Sequence, residues 1–323
     1  MSNTDTRKTE GSRRRVDVIV VGAGFAGMYA TYRFREMGKS VVGVEAAGDV
    51  GGVWYWNRYP GARCDLMSVD YSYGFSEEIQ QEWTWSEQFA SQEEILAYAN
   101  FVADKLDLRK NFKFNTRVVS AVWDDAARLW RAATDSGETL EAPFCIMSTG
   151  PLSIPKDPDI AGIDRFKGQL LRAQKWPHTP VSFEGKRVGV IGTGSTGIQI
   201  VQTVGRQAAE LFVFQRTPSF TLPMRNHKLE PDYVAEMKRH YPAMREAMRN
   251  NPTGGTRPAT SRPYFSLPPS QRLQAMEQAW INGGHTFLGS FADLLTNQEA
   301  NEQVADFVRA KIGEIVKDPK VAE

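Results

Sequence analysis

Cysteine is nearly absent from this sequence, since Cys64 and Cys145 are the only two among 323 residues. Two widely spaced cysteines provide neither a disulfide framework nor a CxxC redox pair. The sequence also lacks the Cys and His spacing of a zinc site, so no metal is expected. It therefore excludes chemistry that depends on paired thiols or on zinc.

The sequence also lacks an excess of charge and long apolar runs. Its 39 Lys and Arg residues nearly balance 38 Asp and Glu residues, which argues against binding to nucleic acid or to an anionic membrane through bulk charge. No stretch reaches the roughly 18 apolar residues of a membrane span, and the N-terminus has no signal-peptide core. We expect a soluble, cytoplasmic protein without nucleic-acid or membrane partners.

In place of these features, the chain contains two copies of a βαβ pattern and is long enough for two domains. Residues 16–21 and 40–45 are typical of buried parallel strands, and the helix between them ends before Gly38. The second copy has strands at 187–191 and 211–215 around another helix. This pattern predicts an α/β fold with two Rossmann-like dinucleotide-binding domains.

The rest of the chain has weaker signals. Residues 93–108 predict an amphipathic helix, residues 112–148 predict short strands with turns, and the chain beyond Pro223 reads as mostly helical. A proline-rich stretch at 151–158 indicates a domain boundary. Several large residues of the helical part are core candidates: Tyr264, Phe265, Trp280, His285 and Phe287.

The first glycine-rich turn, GAGFAG, follows the first predicted strand. Gly22 permits the tight turn, Gly24 lets the backbone approach a pyrophosphate, and Gly27 lets helix and strand pack closely. Together with Ala26, these residues would bind a diphosphate at the helix N-terminus. Glu45, at the end of the next strand, is placed to accept hydrogen bonds from the diol of an adenosine ribose.

The second glycine-rich turn, GTGSTG, has the same flanking pattern but a different residue after the next strand. Arg216 stands where the first copy has Glu45, and an arginine pairs with a 2′-phosphate rather than with a diol. Thr217 adds a hydroxyl beside it. The predicted phosphate-binding residues of this turn are Gly192, Thr193, Gly194, Ser195, Thr196 and Gly197. We expect NADPH here and FAD, the natural acceptor of its hydride, at the first turn.

A run of unusual composition, GGVWYWNRYPGARCD, lies at residues 51–65. Its glycine pair and its Tyr-Pro-Gly predict a loop folded over a flat ligand, although each aromatic residue taken alone is more typical of a core position. With both glycine-rich turns and with FKGQLLRAQKWP at 166–177, this run makes the sequence resemble the Baeyer–Villiger flavin monooxygenases, in particular the phenylacetone and steroid monooxygenase branch. The resemblance extends over essentially the whole chain.

The resemblance implies roles for individual residues. FAD would lie on the first turn with Glu45 at its ribose, and Arg63 and Asp65 would face the nicotinamide half of NADPH. The residues implied to contact the flavin or its adenine are Gly52, Val53, Trp54, Tyr55, Trp56, Asp65, Tyr71 and Val118. The implied organisation is a mobile tail at 1–15, the N-terminal part of an FAD domain at 16–150, an NADPH domain at 151–223 and its helical insert at 224–323.

The resemblance also implies a reaction. NADPH reduces FAD, O₂ adds to form a C4a-peroxyflavin, and the peroxide anion attacks a ketone to give an ester or lactone. That anion must be kept from water. In the family an arginine stabilises it, and the aspartate matching Asp65 holds that arginine.

Two departures from the family pattern affect this expectation. Arg172 replaces the histidine of the FxGxxxHxxxW fingerprint, and His178 is not assumed to replace it. Because arginine loses the neutral imidazole, we expect impaired catalysis with cofactor binding retained. The chain also ends at Glu323, before the family's peroxide-stabilising arginine, which predicts an incomplete FAD domain with an exposed apolar edge.

Other functions remain open at this point. The related N- or S-oxidising flavin monooxygenases share both turns, although Trp176-Pro177 favours the Baeyer–Villiger group. A non-catalytic or uncoupled nucleotide-binding remnant would also explain both departures. A pyridine-nucleotide disulfide reductase is excluded because no CxxC follows the first turn.

Overall fold

The structure is a computed structural model, and it describes residues 12–152, 154–256, 260–284 and 287–322. The chain divides into two compact units: Met1–Ala62 with Gln92–Glu184, and Arg63–Ser91 with Gly185–Glu323. Residues 63–91 thus group with the second half of the chain, and residues 151–184 group with the first. The assignment of residues 16–150 to a flavin domain and of residues 151–223 to a nicotinamide domain stays a prediction.

The regular elements include both βαβ copies that the sequence predicts. The strands are β1 (Arg13–Arg15), β2 (Val18–Val21), β3 (Val41–Val44), β4 (Phe112–Lys113), β5 (Val118–Asp124), β6 (Leu129–Thr134), β7 (Thr139–Ala142), β8 (Phe144–Met147), β9 (Arg187–Ile191) and β10 (Glu210–Phe214). The helices are α1 (Phe25–Glu36), α2 (Val53–Trp56), α3 (Glu77–Glu82), α4 (Gln92–Lys105), α5 (Ser195–Val204), α6 (Pro231–Arg249), α7 (Pro269–Asn282), α8 (Gln298–Ile315) and α9 (Pro319–Ala322).

A parallel sheet with the strand order β4-β3-β2-β8 forms the centre of the first unit. β2 and β3 are buried along their whole length because their apolar residues are covered on both faces. On one face α1 packs against Val18, Val20 and Val41. Within the described part of the chain β8 is an edge strand, and its Phe144 and Met147 are 59% and 58% exposed. An exposed apolar edge, as expected from the sequence, is therefore present.

A second sheet of the first unit has the order β1-β7-β6-β5. β5, β6 and β7 run antiparallel, as the predicted turns require, and β1 pairs in parallel with β7. The structure therefore corrects the predicted mobile tail, because Arg13–Arg15 form a strand whose partners are Thr139–Glu141. An edge strand gains backbone hydrogen bonds even when all its side chains are exposed. Residues 1–11 of the predicted tail lie outside the described residues.

The second unit contains the second βαβ copy and a helical core. β9 and β10 pair in parallel around α5, with Arg187 opposite Glu210. In the helical core, Tyr264, Trp280 and Phe287 are buried as predicted, together with apolar residues of α8. Phe265 is instead exposed on the surface. The fifth core candidate, His285, lies outside the described residues.

Over the described residues, no helix combines the length and the apolar content needed to cross a bilayer.

Candidate functional site

The first glycine-rich turn, named here the first cradle (Gly22–Gly27), connects β2 to α1. Gly22 has a φ of +105°, and a Cβ there would lie 2.5 Å from the carbonyl oxygen of Ser148. A Cβ on Gly27 would lie 1.8 Å from the carbonyl oxygen of Gly22. Both positions therefore require glycine, as the sequence pattern predicts.

The N-terminus of α1 is suited to an anion. Gly24 precedes the helix in an extended conformation, no side chain caps it, and its first turn contains no acidic residue. The N–H groups of this turn, which includes the exposed Ala26, have no partner within the helix and point toward its N-terminal end. A diphosphate fits this position because it would supply both the acceptors and the negative charge that the helix end favours.

Glu45 is buried at the end of β3 and is held by the backbone of the first unit. One carboxylate oxygen accepts a hydrogen bond from the Ala23 amide at 2.6 Å, and the other accepts from the Ala47 amide at 2.7 Å. Glu45 is thus tied to the first cradle itself, which a solvent-facing acid would not be. Each carboxylate oxygen accepts more than one hydrogen bond, so acceptor capacity remains for a ribose diol.

A glycine pair covers the first cradle. Gly52 has φ +56° and ψ −121°, a region open only to glycine, and a Cβ there would lie 2.8 Å from the Cα of Gly24. The Gly51 amide donates to the carbonyl of Ala23 at 3.0 Å. This close contact of two backbones explains why the run at 51–65 begins with two glycines.

The aromatic residues that follow form α2, a single helical turn, where the sequence predicted a loop. The turn forms because the Tyr55 amide reaches back to the carbonyl of Gly52 at 3.0 Å. None of the four residues of α2 is buried, so they are not core residues. The Tyr55 ring contacts Trp56 edge-on and lies 5.4 Å from the ring of His178. Gln92 of α4 donates to the carbonyl of Trp54, which fixes the turn to the first unit.

The second glycine-rich turn, named the second cradle (Gly192–Gly197), repeats the backbone of the first. Gly192 has a φ of +99°, and a Cβ on Gly197 would lie 2.1 Å from the carbonyl oxygen of Gly192. α5 begins after an extended Gly194, with no side-chain cap and no acid in its first turn, where Ser195 and Thr196 lie. A Cβ on Gly192 or Gly194 would meet nothing within 4 Å among the described atoms. This cradle is therefore open above its glycines and fits a diphosphate.

Arg216 and Thr217 follow β10 after Gln215, whereas Glu45 follows β3 directly. The Gly22 amide donates to Val44 and the Gly192 amide to Phe214, so Gln215 is the residue equivalent to Glu45 and Arg216 lies one position further along the chain. The side chains of Arg216 and Thr217 are both exposed. Arg216 is thus accessible to a ligand of the second unit, in contrast to the buried Glu45.

Asp65 lies in the second unit, where a residue of the cradle helix contacts it. Gln199 of α5 donates to the Asp65 carboxylate at 3.4 Å and to the carbonyl of Arg63 at 3.1 Å. Sequence reasoning missed Gln199, although a polar residue between the apolar Ile198 and Ile200 of α5 is a usable signal. Between the two, Cys64 is buried, and burial raises the pKa of its thiol to about 11. The thiol is therefore neutral and unreactive at ordinary pH.

The remaining predicted residues are distributed over both units. Arg172 in the first unit precedes a short 3-10 turn, and its guanidinium pairs with the Asp157 carboxylate. Val118, also in the first unit, begins β5 and is half-buried. Tyr71 belongs to the second unit, where its amide donates to the carbonyl of Met67 at 2.9 Å. Sequence reasoning also missed Glu87, which accepts a hydrogen bond from Arg63, and Asn226, which donates to Glu87.

Comparison with known proteins gives one family and several long matches. Residues 14–250 match the model of the flavin-binding monooxygenase-like family. The chain is 42% identical over 315 residues to the 2-oxo-Delta(3)-4,5,5-trimethylcyclopentenylacetyl-CoA monooxygenase of Pseudomonas putida, a match that covers 95% of this chain and 58% of that protein. It is 41% identical over 324 residues to a Baeyer-Villiger monooxygenase of Pseudooceanicola batsensis, covering 99% and 59%.

A solved structure gives the same result for the fold. The oxidized steroid monooxygenase bound to NADP superimposes with a TM-score of 0.92 at 46% sequence identity. The match covers 95% of this chain and 59% of that one. The two Rossmann-like folds expected from the sequence are therefore confirmed. The chain spans about 58% of the length of the curated relatives it matches.

Proposed function

The chain belongs to the flavin-binding monooxygenase-like family, and we propose that it binds FAD on the first cradle and NADPH on the second. We further propose that these cofactors serve to insert one oxygen atom from O₂ beside a ketone carbonyl, giving an ester or lactone. The named relatives are monooxygenases, which favours this function over a nucleotide-binding remnant.

One observation carries the assignment of the two cofactors. The two cradles have the same backbone, but a buried carboxylate directly follows the strand beside the first, and an exposed guanidinium lies two residues after the strand beside the second. A carboxylate accepts hydrogen bonds from a ribose diol, as in FAD, whereas a guanidinium pairs with the 2′-phosphate of NADPH.

The proposed roles of the other residues follow from their positions. α2 presents Trp54, Tyr55 and Trp56 next to the glycine pair that covers the first cradle, so it would lie along the ring system of the flavin. Asp65, held by Gln199, would act near the nicotinamide together with Arg63. When bound, FAD would accept a hydride and activate O₂. These side chains would orient the reactants and exclude water.

The experiment is to purify the chain, measure its flavin content by absorbance, and follow NADPH oxidation with and without a small cyclic ketone. We expect bound FAD and an NADPH oxidation rate that rises with ketone, with the ester or lactone identified by mass spectrometry. NADPH oxidation that yields only hydrogen peroxide would contradict oxygen insertion while retaining the two cofactors. A protein that binds neither nucleotide would contradict the whole proposal.

We also propose that Arg172 lowers turnover. Its ion pair with Asp157 is on the surface, with a third of the Arg172 side chain exposed, and a histidine of ordinary pKa would be mostly neutral at pH 8. We expect Arg172→His to raise turnover about tenfold at an unchanged FAD content, which is below the ~10²–10⁴-fold contribution of a general acid–base group. Arg165→His, at an exposed position of the same segment, is the matched control. Equal rates in the original protein and the Arg172→His variant would argue against this role.

A further inference from the structure

The Arg63 side chain is held at one nitrogen only. Its Nη1 donates both to the Glu87 carboxylate and to the carbonyl of Phe89. The described residues offer no hydrogen-bond partner to Nε or Nη2 of Arg63. The side chains of Arg63 and Glu87 are 30% and 29% exposed, so the pair lies at the surface of the second unit with one edge of the guanidinium open.

Asn226 holds Glu87 in turn. Its amide nitrogen donates to the Glu87 carboxylate at 2.6 Å, and its amide oxygen accepts from the Phe89 backbone at 3.0 Å. The four residues Arg63, Glu87, Phe89 and Asn226 therefore form a closed ring of hydrogen bonds. Such a ring defines one orientation for each of its side chains.

The backbone beneath this ring is fixed on both sides. Glu87 forms a β-bridge with Lys228, and the Gln88 amide donates to the carbonyl of His227 at 3.0 Å. On the other side the Ser68 amide donates to the carbonyl of Gln88 at 2.8 Å. Three separate chain segments meet here, those of Ser68, Gln88 and His227. Because backbone hydrogen bonds join all three, the backbone beneath the ring is more rigid than an isolated loop.

The carboxyl group of Glu87 is negatively charged, as an ion pair with Arg63 requires. Burial acts to raise the pKa of its carboxyl group, but the Asn226 hydrogen bond and the Arg63 guanidinium outweigh burial and lower the pKa. Glu87 is therefore ionised at neutral pH. An ion pair this exposed contributes little to stability, so its effect is chiefly on orientation.

Arg63 is also connected to the second cradle. Its carbonyl accepts from Gln199 at 3.1 Å, and Gln199 lies on α5, the helix that begins at that cradle. The backbone of Arg63 is thus fixed by the helix that would hold the diphosphate, and its guanidinium is fixed by Glu87.

We propose that Glu87, held by Asn226, is a positioning residue that fixes the Arg63 guanidinium through Nη1 and leaves its Nε–Nη2 edge for the nicotinamide half of the coenzyme. This inference rests on the proposed function, since it requires NADPH on the second cradle. The free edge offers two parallel N–H donors, which suit an acceptor pair on a phosphate or a carboxamide oxygen. Without Glu87 the long side chain would sample other rotamers and lose this orientation.

The test compares two ligands that differ only in the half Arg63 would contact. NADP⁺ contains the nicotinamide half, and adenosine 2′,5′-bisphosphate lacks it. We expect Glu87→Gln to weaken NADP⁺ binding about fivefold, as for the loss of one ordinary hydrogen bond, because the glutamine keeps the shape but not the charge of Glu87, and to leave the bisphosphate affinity within about twofold. Binding is measured by calorimetry on the purified chain. Glu236→Gln, which breaks a surface ion pair with Arg239 on α6, is the matched control and should change neither affinity.

A double-mutant cycle separates positioning from a general structural effect. In an Arg63→Ala background, Glu87→Gln should cause no further loss of NADP⁺ affinity, because Glu87 acts through Arg63. If Glu87→Gln does not give folded protein, Asn226→Ala provides the same test with an expected loss of about twofold.

Three results would overturn the inference. They are an unchanged NADP⁺ affinity in Glu87→Gln, an equal loss for both ligands, and a full additional loss in the Arg63→Ala background. In each of these the unmodified protein still binds NADP⁺, so the proposed function stands. Failure of the unmodified protein to bind either ligand would instead overturn the proposed function, and this inference with it.

Discussion

The two cradles have nearly the same backbone but different surroundings. Their first glycines have φ values of +105° and +99°, and the glycines before the two helices have φ/ψ of −76°/−173° and −73°/−177°. The Gly22 amide donates to Val44 at 2.8 Å, and the Gly192 amide donates to Phe214 at 2.9 Å. The first cradle is covered by other backbone segments, whereas no described atom lies within 4 Å of a Cβ built on Gly192 or Gly194 of the second.

The two cradles thus have the same glycine-rich turn in different surroundings, and the contributions of the turn and of the surroundings can be told apart. The fingerprint specifies the turn and the start of the helix. The surroundings decide whether a residue beside the cradle is also part of the folded core, as Glu45 is, or acts on a ligand alone, as we propose for Arg216. Changes at the first cradle should therefore affect folding, and changes at the second should affect ligand preference.

The largest difference is expected between alanine substitutions at equivalent glycines. Gly22→Ala combines an unfavourable φ with a contact of 2.5 Å to the Ser148 carbonyl, whereas Gly192→Ala has the unfavourable φ alone. We expect a free energy of unfolding lower by roughly 2–6 kcal/mol for the first and by roughly 1–3 kcal/mol for the second. Chemical denaturation of both variants measures this, and equal losses would contradict the comparison.

An intermediate effect is expected for Glu45→Gln. The glutamine retains one acceptor, so either the Ala23 or the Ala47 amide would face an NH₂ group and lose its buried hydrogen bond. The expected loss is about 1–3 kcal/mol in the free energy of unfolding, with weaker FAD retention. A stable variant with normal flavin content would show that the buried carboxylate has neither role.

The smallest structural effect is expected for Arg216→Gln, the matched change at the second cradle. Because the side chain is exposed, the free energy of unfolding should change by less than about 0.5 kcal/mol. The preference for NADPH over NADH should nevertheless fall about tenfold or more, as for the loss of a charge-assisted hydrogen bond. The ratio of the two dissociation constants is the measurement, and an unchanged ratio would remove the basis for assigning NADPH to this cradle.

Much of the fold was predictable because its signals are local. The buried strands β2, β3 and β9 follow from short apolar runs, and α1 ends where Gly38 adopts a φ of +71°. β1 was not predictable, because three arginines have no strand pattern and pair only when β7 is present beside them. The helical turn of α2 was missed because the glycine pair before it pointed to a loop.

The candidate site was predictable to a lesser extent. The sequence pattern predicts the cradles and the residues after the next strands, which lie at constrained spacings. It contains no signal for Glu87 or Asn226, because their partners are distant in the chain: Asn226 and Glu87 are separated by 139 positions.

The sequence by itself determined the two cradles and the opposite charges beside them. A turn and the helix after it depend on residues only a few positions apart, so a short stretch of sequence is enough to predict them. The tertiary structure alone decided that Glu45 is held by two backbone amides, that residues 63–91 group with the second unit, and that Glu87 holds Arg63. These features depend on contacts between distant segments, and such contacts exist only once the packing of the core has brought the segments together.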